Sequence, residues 1–595
     1  WWFTSPITGS SNGYSWTFTP RAGDVRMDYT GHTCCEDQRF DVSLTTPAGI
    51  SNLTLRLTST LNQAVGDESW GISDFTSTSA AGGSGSGGGL TLNSGSATTS
   101  VSGTVGASTA LNSLTVTQSG GTTFSQRVNS SGAITVTDTA DASTVAFQGN
   151  VTAGSLVTTA NAYNLSLTGA SNTITAATTF NHLGSLTLGD QASDAITFSN
   201  GFTATAPGSV SLAGTVTSNG VTSVGDSDTP ISLTATTSIV TSGGSDTAHR
   251  ALTLGGAVSG DNQALTLNTG SGVLTTAALG AAGHGLGALS MTANEFNPGG
   301  NLYGQSTLVI KPSTSGNTLV LGSAANDNTD SVLDLTTAEL GYLQDGFSSI
   351  TLGSATTGAI TLNSSETFSD PLILDTNGAN ITLGNSEATA YALTGTDNAS
   401  ITFNDPVRLK ATTLTVTTAD QAVSFLSTLD GTTVNQQSLA LSVGAGSAAF
   451  GGTVGGSVDL KVFSLTGTAT VTISAPVSTQ SIEFGSGITT VIDTATVSTT
   501  GSQNFQGPVR VRTNTTFAAS GTGSDITFGS TLNSYDGTAR TVTISADDAV
   551  TFAGTVGGDF VLSTTSVTAS TVTAAAITMS NHALTLTTDA ISLGG

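Results

Sequence analysis

Val423-Ser424-Phe425 is followed by Leu426-Ser427-Thr428-Leu429-Asp430-Gly431, and Ala448-Ala449-Phe450 by Gly451-Gly452-Thr453-Val454-Gly455-Gly456. Far downstream, Val550-Thr551-Phe552 is followed by Ala553-Gly554-Thr555-Val556-Gly557-Gly558. Each piece is a short alternating run closed by Phe and then a turn of small residues. Ile401-Thr402-Phe403 has the same form, and Phe403, Phe425 and Phe450 stand 22 and 25 residues apart. Phe505, Phe528 and Phe552 stand 23 and 24 apart. A recurring step of this size marks stacked structural units.

Within each step lie two or three strands of four or five residues, such as Leu414-Thr415-Val416-Thr417 and Val542-Thr543-Ile544-Ser545. Strict alternation of Val, Leu or Ile with Thr or Ser is the pattern of a half-buried strand. β-Branched residues suit the pleat, and the intervening Gly, Asn, Asp and Ser supply corner conformations. An immunoglobulin-like sandwich needs about seven strands in about 100 residues. A step of 22–25 residues instead suits one coil of a solenoid. The fold expected is therefore all-β: a parallel β-helix over 90–595, with Val, Leu, Ile, Ala and Phe inside and ladders of Thr and Ser outside. Some 23 coils at about 4.8 Å each predict a rod on the order of 110 Å long.

The composition agrees. The chain has 595 residues, 73 Gly, 39 Asp+Glu and 13 Lys+Arg, a net charge of −26 and only 9% charged residues. Mean hydropathy is +0.15, so a core can form. A nucleic-acid partner is excluded, because such binding needs a basic surface. No apolar run approaches the 18 residues of a membrane-spanning helix.

All four Trp and both Cys lie within the first 70 residues. Beyond them, 80–89 is dominated by Gly and Ser, the composition of a flexible linker. The expected domains are thus 1–79, a small β-sandwich, then the linker 80–89, then the solenoid. Gly83, Gly85 and Gly88 match G-x-G-x-x-G, but Leu90-Thr91-Leu92 follows as a strand where a dinucleotide site needs a helix. The strand pattern breaks at Leu335–Gly346, which predicts a short helix. There Thr336 and Glu339 form a capping box, Leu335 and Leu340 a hydrophobic staple, and Gly346 a stop.

The stretch from Leu333-Asp334-Leu335-Thr336-Thr337-Ala338-Glu339-Leu340 to Phe347-Ser348-Ser349-Ile350-Thr351-Leu352-Gly353 resembles a segment of very large bacterial surface proteins. These are filamentous-haemagglutinin-type adhesins. The Phe-x-Gly-x-Val and Gly-Thr-Val-Gly-Gly coils are similar to that group as well, and the resemblance covers most of 90–595. It implies a secreted right-handed β-helix with an adhesive or structural role. Near the start, Leu61 to Phe75, with Asp67-Glu68-Ser69-Trp70-Gly71-Ile72 at its centre, resembles the last strands of a secreted jelly-roll domain. Ser73 and Asp74 stand where that group more often carries Asp-Asn. The resemblance implies a Ca²⁺ or sugar site beside the acidic pair.

Ca²⁺ takes six to eight oxygen ligands, so acidic clusters are the candidate cofactor sites. Asp67 and Glu68 lead, followed by Asn326-Asp327-Asn328-Thr329-Asp330 and Gly225-Asp226-Ser227-Asp228. His32, Cys34, Cys35 and Asp37 lie close in sequence, but adjacent strand side chains diverge, so a tetrahedral Zn²⁺ site is not expected. No catalytic or cofactor-binding residues are expected in the rod. His182, His249, His284 and His582 look isolated, and Asp547 and Asp548, being adjacent, should point to opposite faces of a strand. The function expected is an extracellular, cell-surface structural fibre that self-associates head to tail as a homo-oligomeric filament. The alternatives are a monomeric adhesin, whose N-terminal domain binds a glycan or protein ligand, and a polysaccharide-active β-helix enzyme.

Overall fold

A computed structural model describes residues 7–11, 14–20, 40–45, 70–72, 88–246, 248–323, 332–577 and 583–593. Ile7–Ser11, Tyr14–Pro20 and Phe40–Thr45 form a three-stranded antiparallel sheet. From Trp70–Ile72 onward the pairing is parallel: Trp70 lies in register with Thr99, and Ile72 with Val101. Gly89 already opens a strand that pairs with Ser113–Gln118.

The rest of the described chain is a parallel β-solenoid of about 21 turns. At about 4.8 Å per turn its axis is ~100 Å long. Each regular coil lays one strand on each of three faces. In one coil these are Ile401–Phe403, Val407–Leu409 and Thr413–Thr418. The next coil repeats them as Val423–Phe425, Leu429–Gly431 and Ser438–Ser442, each paired to its predecessor. The faces are called first, second and third after Ile401–Phe403, Thr413–Thr418 and Val407–Leu409 respectively.

Alternation decides which side chains enter. Burial reads buried, part-buried, buried in strand after strand, as in Ile401–Phe403 and Val423–Phe425. Parallel register then stacks like upon like. On the first face one inward column runs from Ile196 through Val216, Ile239, Leu267, Met291 and Ile310 to Phe403, Phe425 and Phe450. The interior is a single apolar column continuous along the axis.

The two Phe series of the sequence occupy different faces. Phe403, Phe425 and Phe450 stack on the first face, with ring centroids 4.6 and 5.1 Å apart and nearly parallel planes. Phe463 lies edge-on to Phe450 at 4.8 Å and passes the aromatic contact to the second face. There Phe484, Phe505, Phe528 and Phe552 continue it, with centroids 5.5 to 5.7 Å apart. Such pairs contribute about 0.5–1.5 kcal/mol each beyond their burial.

The Thr-Val-Gly corners have a steric cause. In Thr104-Val105-Gly106, Thr453-Val454-Gly455 and Thr555-Val556-Gly557 the Val is buried and the Gly has φ near +71°. Only Gly adopts that conformation without cost. A Cβ on Gly455 would also stand 1.8 Å from the Ser478 carbonyl oxygen of the next coil.

Coil length varies more than the expected 22–25 residues. Thr307 pairs with Ser349, so this coil holds nearly twice the usual number. That is one reason for about 21 turns rather than 23. Its extra residues form a second parallel pair, Thr318–Ser323 with Val332–Thr336, and a one-turn helix, Thr337–Leu340. The capping box of Thr336 and Glu339 is present, and Leu335 and Leu340 are buried. The helix stops earlier than predicted, at Gly341 and not at Gly346. Leu340 and Leu343 are apolar and join the core, so the chain turns inward after a single turn.

Candidate functional site

Outward positions stack as regularly as inward ones. On the first face a central outward column runs through fifteen strands from Ala195 to Asn533, by way of Thr215, Thr266, Thr351, Thr402 and Thr472. Its residues are Thr, Ser, Ala, Val, Ile and a final Asn, with one charged side chain, Arg510. The other faces carry similar columns. On the second, the Ser211 and Ser232 hydroxyls hydrogen-bond across coils at 3.0 Å.

Several carboxylates sit at corners, and backbone N–H groups hold them there. Asp405 accepts from the Thr376 N–H at 2.7 Å, Asp420 from Ala445 at 2.6 Å and Asp525 from Ala549 at 3.0 Å. Each bond joins neighbouring coils. Asp547 and Asp548, being adjacent, are expected on opposite faces of a strand. They lie instead in the bend between Thr541–Ala546 and Ala549–Val556, where Asp547 accepts from the Gly523 N–H at 2.9 Å. Two successive carboxylates suit a corner, where neither needs burial, better than a strand half of whose positions face the core.

Among the described residues the basic side chains cluster once. Arg512 places its guanidinium 4.0 Å from the Tyr535 ring centre and 3.4 Å from Asp493. Arg540 pairs with Asp536 at 2.6 Å and donates from Nε to the Arg512 carbonyl. The Arg540 hydrogen bond lowers Asp536 to about 2. These contacts brace one corner.

The histidines divide. His249 and Asp246 meet at 2.6 Å on an exposed turn, and His284 lies 3.6 Å from Asp261, also exposed. Neither looked paired in the sequence, although Asp246 and His249 have the spacing of one helical turn, and a 3₁₀ turn at Ala248–Arg250 brings them together. His182 is fully buried between Tyr163, stacked at 5.4 Å, and the edge of Phe180. Its Nε2 faces the Ser185 carbonyl at 3.3 Å, and Nδ1 has no partner among the described residues. Burial lowers its pKa to about 4, so the ring is neutral. His582 lies outside the described residues.

Asp67, Glu68, His32, Cys34, Cys35, Asp37 and the stretch 326–330 also lie outside the described residues. In Gly225-Asp226-Ser227-Asp228 the Asp226 carboxylate accepts from the Asp228 N–H at 3.0 Å, which closes a turn. No group of three or more His, Cys, Asp or Glu among the described residues could hold a metal. An open groove of about 520 Å³ crosses successive coils at one corner, past Ser520, Asp547, Ser570 and Asp589. No helix among the described residues is long and apolar enough to cross a membrane.

With this geometry in view, no family model, no curated protein and no solved structure matches the chain.

Proposed function

We propose that this protein is a structural component of an extracellular, cell-surface fibre that associates head to tail. The observation that carries the reading is the parallel ladder itself. It repeats over about 21 turns around one continuous apolar core. A parallel ladder is polar along its axis, so its two ends complement each other and not themselves. Contacts of that kind propagate and do not close. Leu586 and Ile591 sit on the last described coil, half-buried and exposed respectively. They mark the axial surface onto which a further coil, from this chain or a second copy, would stack.

The likeness to filamentous-haemagglutinin-type adhesins in 333–353 supports the same role. The antiparallel sheet of Ile7–Ser11, Tyr14–Pro20 and Phe40–Thr45 supports reading the start of the chain as a β-unit distinct from the parallel rod, although Trp70–Ile72, expected in the same domain, pair instead with the rod's strand Thr99–Val101. We assign it a jelly-roll-like docking role toward a glycan or protein surface, with Asp67 and Glu68 as the Ca²⁺ ligands. The reading is not enzymatic. Among the described residues the one buried His is locked among aromatic rings, and the exposed His–Asp pairs lie on open turns.

Electron microscopy of the purified native protein, with Ca²⁺ and at rising concentration, tests the proposal. Filaments many times longer than ~100 Å are expected from the axial rise. Dispersed single rods at every concentration would refute it.

A further inference from the structure

We propose that the first face is a lateral interface, on which a second copy of this chain docks side by side. The inference rests on the fibre reading but concerns a different surface. The first face is the one whose hydrogen-bonded ladder runs unbroken past the enlarged coil, through at least the fifteen strands from Ala195–Phe198 to Leu532–Ser534. The other two are interrupted at the enlarged coil. There the third face passes into a separate six-stranded sheet, and the second is reduced to the single bridges of Leu279, Leu302 and Leu343.

The size of the first face suits a partner. Fifteen strands about 4.8 Å apart, each presenting about 14 Å of width, give ~900 Å² per copy. Two such faces in contact bury ~1,800 Å², within the range of stable specific interfaces. The chemistry suits a copy of itself. Apart from Arg510, and Val491 and Asn533, which are already buried, the face's outward column is Thr, Ser, Ala, Val and Ile, short side chains that lose little entropy when covered. The same surface on both partners permits a two-fold, isologous contact. Asp405 and Asp420, at the edges of the face, are turned into corner hydrogen bonds. Self-repulsion between two such faces therefore acts mainly from these edges. It is screened over about 8 Å at physiological ionic strength. Pairing should accordingly strengthen with salt, opposite to an interface built on ion pairs.

The test places charge on matched positions of two faces in the full chain. Thr402 and Ser424 are neighbours on the first face, Thr415 and Ala440 on the second, and all four point outward, part-buried. The first variant carries Thr402→Glu and Ser424→Glu; the second carries Thr415→Glu and Ala440→Glu. Mass per unit length by scanning transmission electron microscopy is compared with sedimentation velocity, and circular dichroism checks that both variants fold. Native rods should show twice the single-chain mass per length, rising with salt. The first variant should fall to the single value, and the second should stay double. Single-width native rods at all salt concentrations would overturn the proposal, as would equal behaviour of the two variants. Length and width are independent readouts. Long filaments of single width defeat the lateral interface alone, and short rods of double width defeat the head-to-tail reading alone.

Discussion

The coils between residues 401 and 552 and those between 289 and 375 solve the same problem with different chemistry. In the first stretch every coil is close to one length, and the interior is hydrocarbon: Phe403, Phe425, Phe450, Phe484, Phe505, Phe528 and Phe552 are buried and touch along the axis. In the second stretch one coil nearly doubles, and Glu295, Asp334, Glu339, Glu366 and Asp370 are buried. Extra chain brings extra backbone donors and hydroxyls, and carboxylates answer them. Glu339 accepts from the Thr336 N–H at 2.8 Å, Glu366 from the Thr337 hydroxyl at 2.7 Å, and Asp370 from the Gly346 N–H at 3.2 Å. A buried carboxylate is tolerated where it is hydrogen-bonded. The regular coils need fewer such groups, because the ladder already pairs most of their backbone; there Asp430 is the buried carboxylate, accepting from the Ser457 N–H at 2.8 Å.

The sharpest way to break the contrast is to empty the regular interior. Phe425→Ala removes a ring stacked on both sides and should cost about 3–5 kcal/mol. In a solenoid the damage should stay near its own coils, since each contacts only its neighbours. Hydrogen-exchange protection should therefore collapse around 401–450 and persist around 289–375. A loss under ~1 kcal/mol would mean that the column is not a close-packed core.

Acid next sets Asp370, in the enlarged stretch, against His182, a buried base that lies outside both stretches. His182 is the ring that interrupts an otherwise apolar aromatic cluster. Its folded pKa, about 4, lies below the ordinary 6.5, so the folded state favours the neutral form. Stability from this site is complete above about pH 6.5 and is lost as pH falls toward 4, by a total on the order of 3 kcal/mol. Asp370 acts in the opposite sense. Burial raises its pKa, so its contribution is present at low pH and lost as pH rises through the raised value. His182→Phe should flatten the loss between pH 6.5 and 4 in urea titrations. An unchanged slope would show that His182 does not titrate on unfolding.

The enlarged coil can be probed through its cap. Thr336→Ala removes the hydroxyl that accepts from the Glu339 N–H and leaves the Glu339 carboxylate with one donor fewer. A loss of about 1 kcal/mol is expected, typical of an N-cap, with faster exchange at Glu339 and Leu340. No change would indicate that the tertiary packing of Leu335 and Leu340 holds the turn unaided.

What could be read from the residues follows the same division. The Phe steps are legible because parallel register aligns Phe403 with Phe425 and Phe505 with Phe528, so the spacing in sequence equals one turn in space. The cap at Thr336 and Glu339 is legible because it is a local motif. The helix end is not, since Gly341 rather than Gly346 closes it for a tertiary reason, the burial of Leu340. The transfer of the Phe series from one face to another is also hidden. Period alone does not say which of three equivalent faces a strand joins, and the change depends on Phe463 meeting Phe450 edge-on. Among candidate site residues, Asp226 and Asp228 turn out to close a turn, as their type favours. The pairing of His249 with Asp246 needed a 3₁₀ turn that β-patterning does not signal.

The smallest effect concerns the outer surface. Thr402 lies between Ile373 and Ser424 in the outward column of the first face, part-buried. Thr402→Val keeps the β-branched shape and removes the hydroxyl. If Phe425 and its neighbours hold the rod together from within, the stability change should stay within about 0.5 kcal/mol. Thermal unfolding of the dispersed protein measures it. The comparison of interiors requires this result, because it places the energy of the regular coils in the core and the ladder and leaves the outer hydroxyls free for contact. A loss above 1 kcal/mol would instead make the Thr and Ser columns part of the scaffold. The regular coils would then depend on polar networks as much as the enlarged one does, and the contrast between the two stretches would fail.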